Sequence, residues 1–239
     1  MTEATGRSGG RREPRLTREA IVRAAVEHVD AHGLTALTMR SLGQRLGVEA
    51  MSIYHHVNGR EDLLDAMVDL LVAEVRVDPA TALGPSDGWQ AYLQVLARAV
   101  HRLATAHPLV FPLVATRHPA AAWLRPPLRS VAVVEDFLVA MTSRGLDDRA
   151  AVHVYKVFTS FLLGHLLLEV AAAGASTGPV EEPLDEGGSR VTNEGAELDL
   201  DAYPTVLRLR PQLARDDAEE QFERALEAVL DRLDLELSQ

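Results

Sequence analysis

The 239-residue chain contains no cysteine. That absence removes disulfides, thiolate-bound metals and thiol redox sensing together, and it fits a reducing cytoplasm. No uninterrupted apolar run reaches the roughly 18 residues of a membrane-spanning helix, so no membrane partner is expected. Residues 1–15 (MTEATGRSGGRREPR) are polar and arginine-rich with no apolar segment behind them. They are expected to be a disordered basic arm rather than a signal peptide. No period-2 alternation marks a strand, and no internal repeat is present. Catalytic fingerprints are missing too: there is no GxSxG elbow, Walker A loop, dinucleotide motif or HExxH pair. The carboxylates are scattered over solvated faces. Neither an enzyme nor a bound cofactor is therefore expected.

What is present is an ordinary globular composition, 47% hydrophobic, long enough for one large or two modest domains. The formal net charge is −11, unevenly divided. Residues 1–60 carry nine arginines against six acids, a balance of +3, and the remainder carries 15 basic and 29 acidic residues, −14. Basic charge gathered at one end is where phosphates could be met.

From Thr17 the pattern is helical. Thr17 suits an N-cap, and Ile21, Val22, Ala25, Val26 and Val29 share one face. His32-Gly33 ends that helix, with Gly33 expected in the left-handed region. Thr38 caps a second short helix to Leu46, Gly47-Val48 turns, and a third runs from about Glu49 to His55. Asn58 and Glu61 read as the cap of a longer helix to about Val75. After a connection at 78–88, apolar helical segments fall near 88–106, 109–116, 123–144 and 147–173. A flexible loop is expected over about 175–200, then helices near 201–210 and 215–235. The fold class is all-α.

Leu37 to Arg60, LTMRSLGQRLGVEAMSIYHHVNGR, places two short helices around a glycine-containing turn. That is the spacing of a helix-turn-helix, whose second helix enters a major groove about 12 Å wide. Ala50, Met51 and Ser52 would stand at the exposed start of the reading helix, with Val48, Ile53 and Val57 anchoring its back. Tyr54, His55, His56 and Arg60 offer donors for flanking phosphates, and Arg40 and Ser41 could reach bases or backbone. A plain helical hairpin would carry a similar pattern. His28 and His32 stand i, i+4 and could ligate a metal, but with no third ligand nearby they read as a solvated face.

Thr17 to Leu64 resembles the DNA-binding domain of the tetracycline-repressor (TetR) family. The resemblance lies in HGLTALTMRSLGQRLGV, MSIYHHV and GREDLLDAM, with Gly33, Leu46-Gly47-Val48, Tyr54, His56-Val57, Arg60 and Leu63-Leu64 in register. It implies base reading by Arg40, Ala50, Met51 and Ser52, and phosphate holding by Tyr54, His56 and Arg60. Arg60 stands where a lysine is usual, and Ala50-Met51 replaces more polar choices. The implied partner is double-stranded operator DNA, and the implied location is cytoplasmic. The implied domains are a DNA-binding unit at 16–75 and a ligand-binding and dimerisation unit at 76–239, nearest to the tetracycline-repressor branch.

Ala150 to Val170 is apolar nearly all round, and the last helix carries a stripe of Phe222, Leu226, Val229, Leu230 and Leu233. These, with Phe158, Phe161 and Leu162, are expected to form a four-helix bundle between two copies. The alternative is burial of both helices inside a monomer. The resemblance further implies a pocket for an unknown small hydrophobic or aromatic effector. Its candidate lining is His101, Arg117, His118, Trp123, Phe137, Tyr155, Phe158 and His165, with Gly164 permitting close approach. The reading is a repressor released by an effector; an activator on the same fold and an all-α interaction module are the alternatives.

Overall fold

The computed structural model describes residues 16–75, 87–117, 124–126, 128, 130–177, 203–215 and 217–238. The expected arm at 1–15 and most of the connection and loop lie outside them. Among the described residues there are ten α-helices and a 3-10 turn at Leu34–Ala36, and no strand. The helices are α1 Arg18–His32, α2 Met39–Leu46, α3 Ala50–Tyr54, α4 Arg60–Val75, α5 Trp89–Ala106, α6 Phe111–Thr116, α7 Val131–Thr142, α8 Asp148–Ala172, α9 Pro204–Leu213 and α10 Ala218–Leu237.

Local chemistry accounts for most boundaries. The Thr17 hydroxyl accepts from the Ala20 N–H, and Thr38 and Ser41 close a reciprocal capping box on α2. Gly33 ends α1 at φ 80, ψ 162, an extended positive-φ conformation rather than the left-handed one expected. α7 begins at Val131 with Ser130 as its cap, not at residue 123. Pro126 breaks the helical pattern there, because proline neither donates nor favours a helical residue before it. α10 starts three residues later than read, after Asp217.

The apolar residues form two clusters. One holds α1 to α4, with Ile21, Leu42, Ile53, Leu63 and Met67 at its centre, and three residues from further along the chain, Leu103, Val110 and Leu113, insert into it. The second gathers α5, α7, α8 and α10 around Leu93, Phe137, Phe158, Leu166 and Phe222. α8 has the length and a mean hydropathy of 1.4 that would let a helix cross a membrane, although Lys156 and His165 keep any of its apolar runs far short of 18 residues, as expected. Its Val154, Phe158, Leu162 and Leu166 are buried in this second cluster, which accounts for that apolarity.

This packing overturns part of the expected dimer surface. Phe158, Leu162, Phe222, Leu226, Leu230 and Leu233 are already buried within their own chain and have no surface left for a partner. Phe161 and Val229 are half-buried against the same cluster. The all-round apolarity of α8 and the stripe on α10 serve a monomer core first.

The turn between α2 and α3 depends on two glycines. Gly47 is left-handed (φ 70, ψ 27), and Gly43 lies where a Cβ would stand 2.8 Å from the Val48 carbonyl oxygen and 3.3 Å from the Ala50 nitrogen. Neither neighbour is a flexible side chain. Gly43→Ala is therefore expected to destabilise the N-terminal unit by about 1–3 kcal/mol. Thermal melting of the variant would check this, and an unchanged midpoint would show that α3 can move aside freely.

Candidate nucleic-acid interface and effector cavity

The start of α3 is presented outward. Met51 is 67% exposed, Tyr54 and His55 are exposed, and Ala50, Ser52 and His56 are half-buried. Ile53 and Val57 are fully buried beneath them, with Val48 packed alongside, as expected. A helix held from below and bearing small or apolar tips can enter a groove and touch thymine methyl groups.

The basic groups are less free than their sequence positions imply. Arg23 pairs with Glu19 and Arg45 with Glu27. Arg18 forms a two-pronged pair with Asp62 at 2.6 and 2.8 Å and also donates to the His56 carbonyl. Arg60, assigned to phosphate by resemblance, turns its Nε and Nη2 toward the Leu37 and Leu34 carbonyls at 3.5 and 3.4 Å. Among the described residues up to Arg60, Arg40 alone of the five arginines has no hydrogen bond or ion pair. Ser41 is spent on capping, accepting from the Thr38 N–H and donating to the Ala36 carbonyl, so it is not offered to DNA.

Asp62, not Glu61, caps α4, accepting from the Asn58 N–H at 2.7 Å. The Arg18 guanidinium and that N–H pull its carboxyl down to about 2. Arg18 thus joins the start of α1, the end of α3 and the first turn of α4. His28 is buried, not solvated, with Nε2 3.2 Å from the Ala36 carbonyl, and it stacks on His32. No set of metal-ligating groups occurs among the described residues.

Behind this unit lies a cavity of about 130 Å³, walled by α4 (Val68, Val72, Val75), α5 (Tyr92, Leu96, Val100, Leu103), α6 (Phe111, Val114), α7 and α8. Of the expected lining, Phe137, Tyr155 and Phe158 are there. His101 and His165 are not; both pack on Phe222 between α5, α8 and α10, and His101 contacts Glu169 at 3.2 Å. Arg117 is also elsewhere. Its side chain, 9% exposed, holds Asp65 at 2.7 Å and Glu61 at 2.6 Å, tying the end of α6 to α4. His118 and Trp123 fall outside the described residues. Gly164 is exposed with open space around it, so it faces away from the cavity.

Tyr92, Ser130, Asp136 and Thr159 line the cavity and were missed. Their signal was weak: a polar residue at the inward register of a helix, visible only once the facing helix is known. Burial pushes the Tyr155 phenol up to about 12, and its hydroxyl donates to the Pro126 carbonyl. A second polar clasp, His107 to Asp30 at 2.7 Å, joins the end of α5 to α1.

Comparison with known proteins gives a consistent result. The family described as bacterial regulatory proteins, tetR family, matches residues 21–67. That described as tetracyclin repressor-like, C-terminal domain, matches residues 81–236. The tetracycline repressor protein class D of Escherichia coli is 27% identical over 226 residues, spanning 94% of this chain and 92% of its own length. A possible TetR family transcriptional regulator from Streptomyces coelicolor A3(2) has a crystal structure similar at TM-score 0.68 and 26% identity, covering 91% of this chain and 98% of that one. ActR from Streptomyces coelicolor, in complex with actinorhodin, is similar at TM-score 0.63 and 25% identity, over 92% and 95% of the two chains.

The depressed Asp62 carboxyl predicts an acid dependence. Its stabilising contribution is complete above the unfolded carboxyl range near 4 and is lost as the pH falls toward 2. Because the pair is largely solvent-exposed, Asp62→Asn should cost only about 1 kcal/mol at pH 7. It should remove part of the fall in stability between pH 4 and 2. Melting curves of both proteins across that window test this, and parallel curves would dissociate Asp62 from acid unfolding.

Proposed function

Because the chain belongs to the tetR family of bacterial regulatory proteins, we propose that it is a homodimeric repressor, released from a palindromic DNA operator when a small molecule fills its cavity. The observation that carries the reading is the α2–turn–α3 unit, anchored below by Ile53 and Val57 and presenting Met51, Tyr54 and His55 outward beside the unpaired Arg40. Arg40, Ala50, Met51 and Ser52 are assigned to bases, and Tyr54, His55 and His56 to phosphates. Arg60 reaches phosphate only by leaving its carbonyls. The operating place is the cytoplasm, where the DNA is. Residues 16–75 form the reading unit and 76–239 the effector-binding and dimerising unit.

The wall of the cavity supports the proposed mechanism. α4 gives Val68 to both the N-terminal core and the cavity, and Leu103 of α5 does the same. A molecule pressing on Phe111 and Val114 of α6 bears on Arg117, which grips Asp65 and Glu61 of α4. An effector that fits a displaced α4 better than the resting one shifts the population toward subunits whose reading helices no longer match successive major grooves.

The dimer face is reassigned from the buried residues to the outer side of α8 and α10 together with α9. On α8, Val152 is exposed and Leu168 is 75% exposed, in a row with Ser160 and Gly164; on α10, Leu235 is exposed. α9 buries none of its residues and leaves Val206, Leu207 and Leu213 uncovered, with Tyr203 at its cap. A second copy is the occupant that pairs two reading helices for a palindrome.

Selection of bound duplexes from a random pool should return a palindrome held by a dimer; recovery of no enriched sequence at low salt would sink the repressor reading. Arg40→Ala is expected to weaken binding and flatten the dependence of affinity on salt by about one ion, measured by anisotropy. Unchanged affinity and slope would remove Arg40 from the DNA-contacting set. Leu168→Arg should yield a folded monomer in light scattering, and a persisting dimer would move the interface elsewhere.

A further inference from the structure

α3 has little of its own to hold it in place. It is five residues long, and Glu49 at its start makes no side-chain cap. Helices so short gain almost nothing from their own backbone bonds and depend on tertiary contacts. Ile53 and Val57 fix its depth against the core, but apolar burial is not directional and leaves its tilt open. The turn that follows, residues 55–59, does not set the tilt either: its Gly59 lies at φ 99, and glycine has many other conformations within reach. Directional bonds reach this point from α1. Thr17 caps that helix, and Ile21 and Val22, one turn on, are buried, so the backbone at Arg18 is a fixed point. The Arg18 Nη1 donates to the His56 carbonyl at 2.9 Å and to Asp62 Oδ2 at 2.8 Å, and its Nη2 donates to Asp62 Oδ1 at 2.6 Å. Asp62 accepts in turn from the Asn58 N–H at 2.7 Å. One planar guanidinium therefore holds the chain just past α3, the turn and the start of α4.

On the reading that α3 enters the groove, we propose that Arg18 is a positioning residue for sequence discrimination: acting through His56 and Asp62, it sets the tilt at which α3 presents Ala50, Met51 and Ser52 to base edges, and it holds no phosphate itself. The chemistry of the fork supports this. Two parallel bonds to one carboxylate fix an angle as well as a distance, which a single point charge does not. Both Nη atoms are engaged, so a phosphate would have to displace Asp62 to be held. A tilted α3 would carry its tips away from the bases, whereas phosphate contacts from outlying side chains tolerate such a shift. The loss therefore falls on the preferred sequence and spares binding to DNA at large.

The test uses the full-length protein below the onset of melting, so that loss of folded protein does not enter. Two duplexes are the probes: the palindrome enriched from a random pool, and a scrambled duplex of the same composition. In Arg18→Ala the ratio of the two affinities, read by anisotropy, is expected to fall about ten-fold. The salt dependence of binding to the palindrome should stay as in the wild type. Arg18→Lys keeps the charge but cannot form the fork, so its ratio should fall nearly as far. Asp62→Asn leaves the cation in place and unties it. Removing an acid helps both duplexes alike, so there too the ratio should fall. An unchanged ratio in Arg18→Ala with a salt slope lower by about one would make Arg18 a phosphate ligand and overturn the proposal. So would an Arg18→Lys protein that discriminates like the wild type. Should Arg18→Ala not fold, Asp62→Asn decides, and an unchanged ratio in it overturns the positioning role. If the wild type itself enriches no sequence, the reading of α3 as the groove helix falls, and the role of Arg18 with it.

Discussion

The insertion of Leu103, Val110 and Leu113 into the core of α1 to α4 is the contact on which the molecule's organisation rests. Without it, the N-terminal helices would be a separate bead on a tether, and nothing happening in the cavity could reach them. With it, one packed layer is shared by the reading unit and the cavity wall. Close-packed interiors do not deform smoothly, so a shift of one side must be taken up as a discrete repacking on the other. The polar clasps reinforce the same seam. Arg117 holds α6 to α4 and His107 holds the end of α5 to α1, so the apolar seam has a charged fastening on each flank.

The electrostatics of the reading unit are arranged more by neutralisation than by surplus. Glu61, Asp62 and Asp65 crowd the start of α4, the helix that follows α3, where bare carboxylates would repel phosphate. Arg18 and Arg117 bind all three. Much of the basic excess noted in residues 1–60 belongs to the first fifteen, which hold four arginines and two acids. Residues 16–60 hold five arginines and four acids, so the part of the unit that carries α2 and α3 is nearly neutral, with Arg40 free.

Legibility in the sequence followed the length scale of the physics. Caps, turns and the register of the reading helix were local, so Thr17, Thr38, Gly47 and the Ile53–Val57 anchor could be read directly. Tertiary partners were not. Asp62 replaced Glu61 because Arg18 reaches across from α1, and Ser41 turned inward because its hydroxyl closed a box on Thr38. The stripe Phe222, Leu226, Leu230 and Leu233 was correctly read as buried but assigned to the wrong neighbour, since hydrophobic periodicity says that a face is covered and not by which chain. Polar residues singled out for the cavity by chemistry, His101 and His165, went into helix packing. Those that line it, Tyr92, Asp136 and Thr159, are distinguished only by the direction in which a helix face points.

α9 has a meaning for the lifetime of the protein as well as for its assembly. Among the described residues, none buries a side chain of this ten-residue helix, which contains Pro211, so its own backbone bonds are its main support there. Helices of that length are marginal in water alone. A newly made subunit that has not found its mate therefore carries an easily opened segment near its C-terminus, the kind of site at which proteases cut first. Paired subunits would shield it. Turnover would then fall hardest on solitary copies, so the amount of regulator in a cell would be trimmed toward the assembled form without any dedicated control of its synthesis.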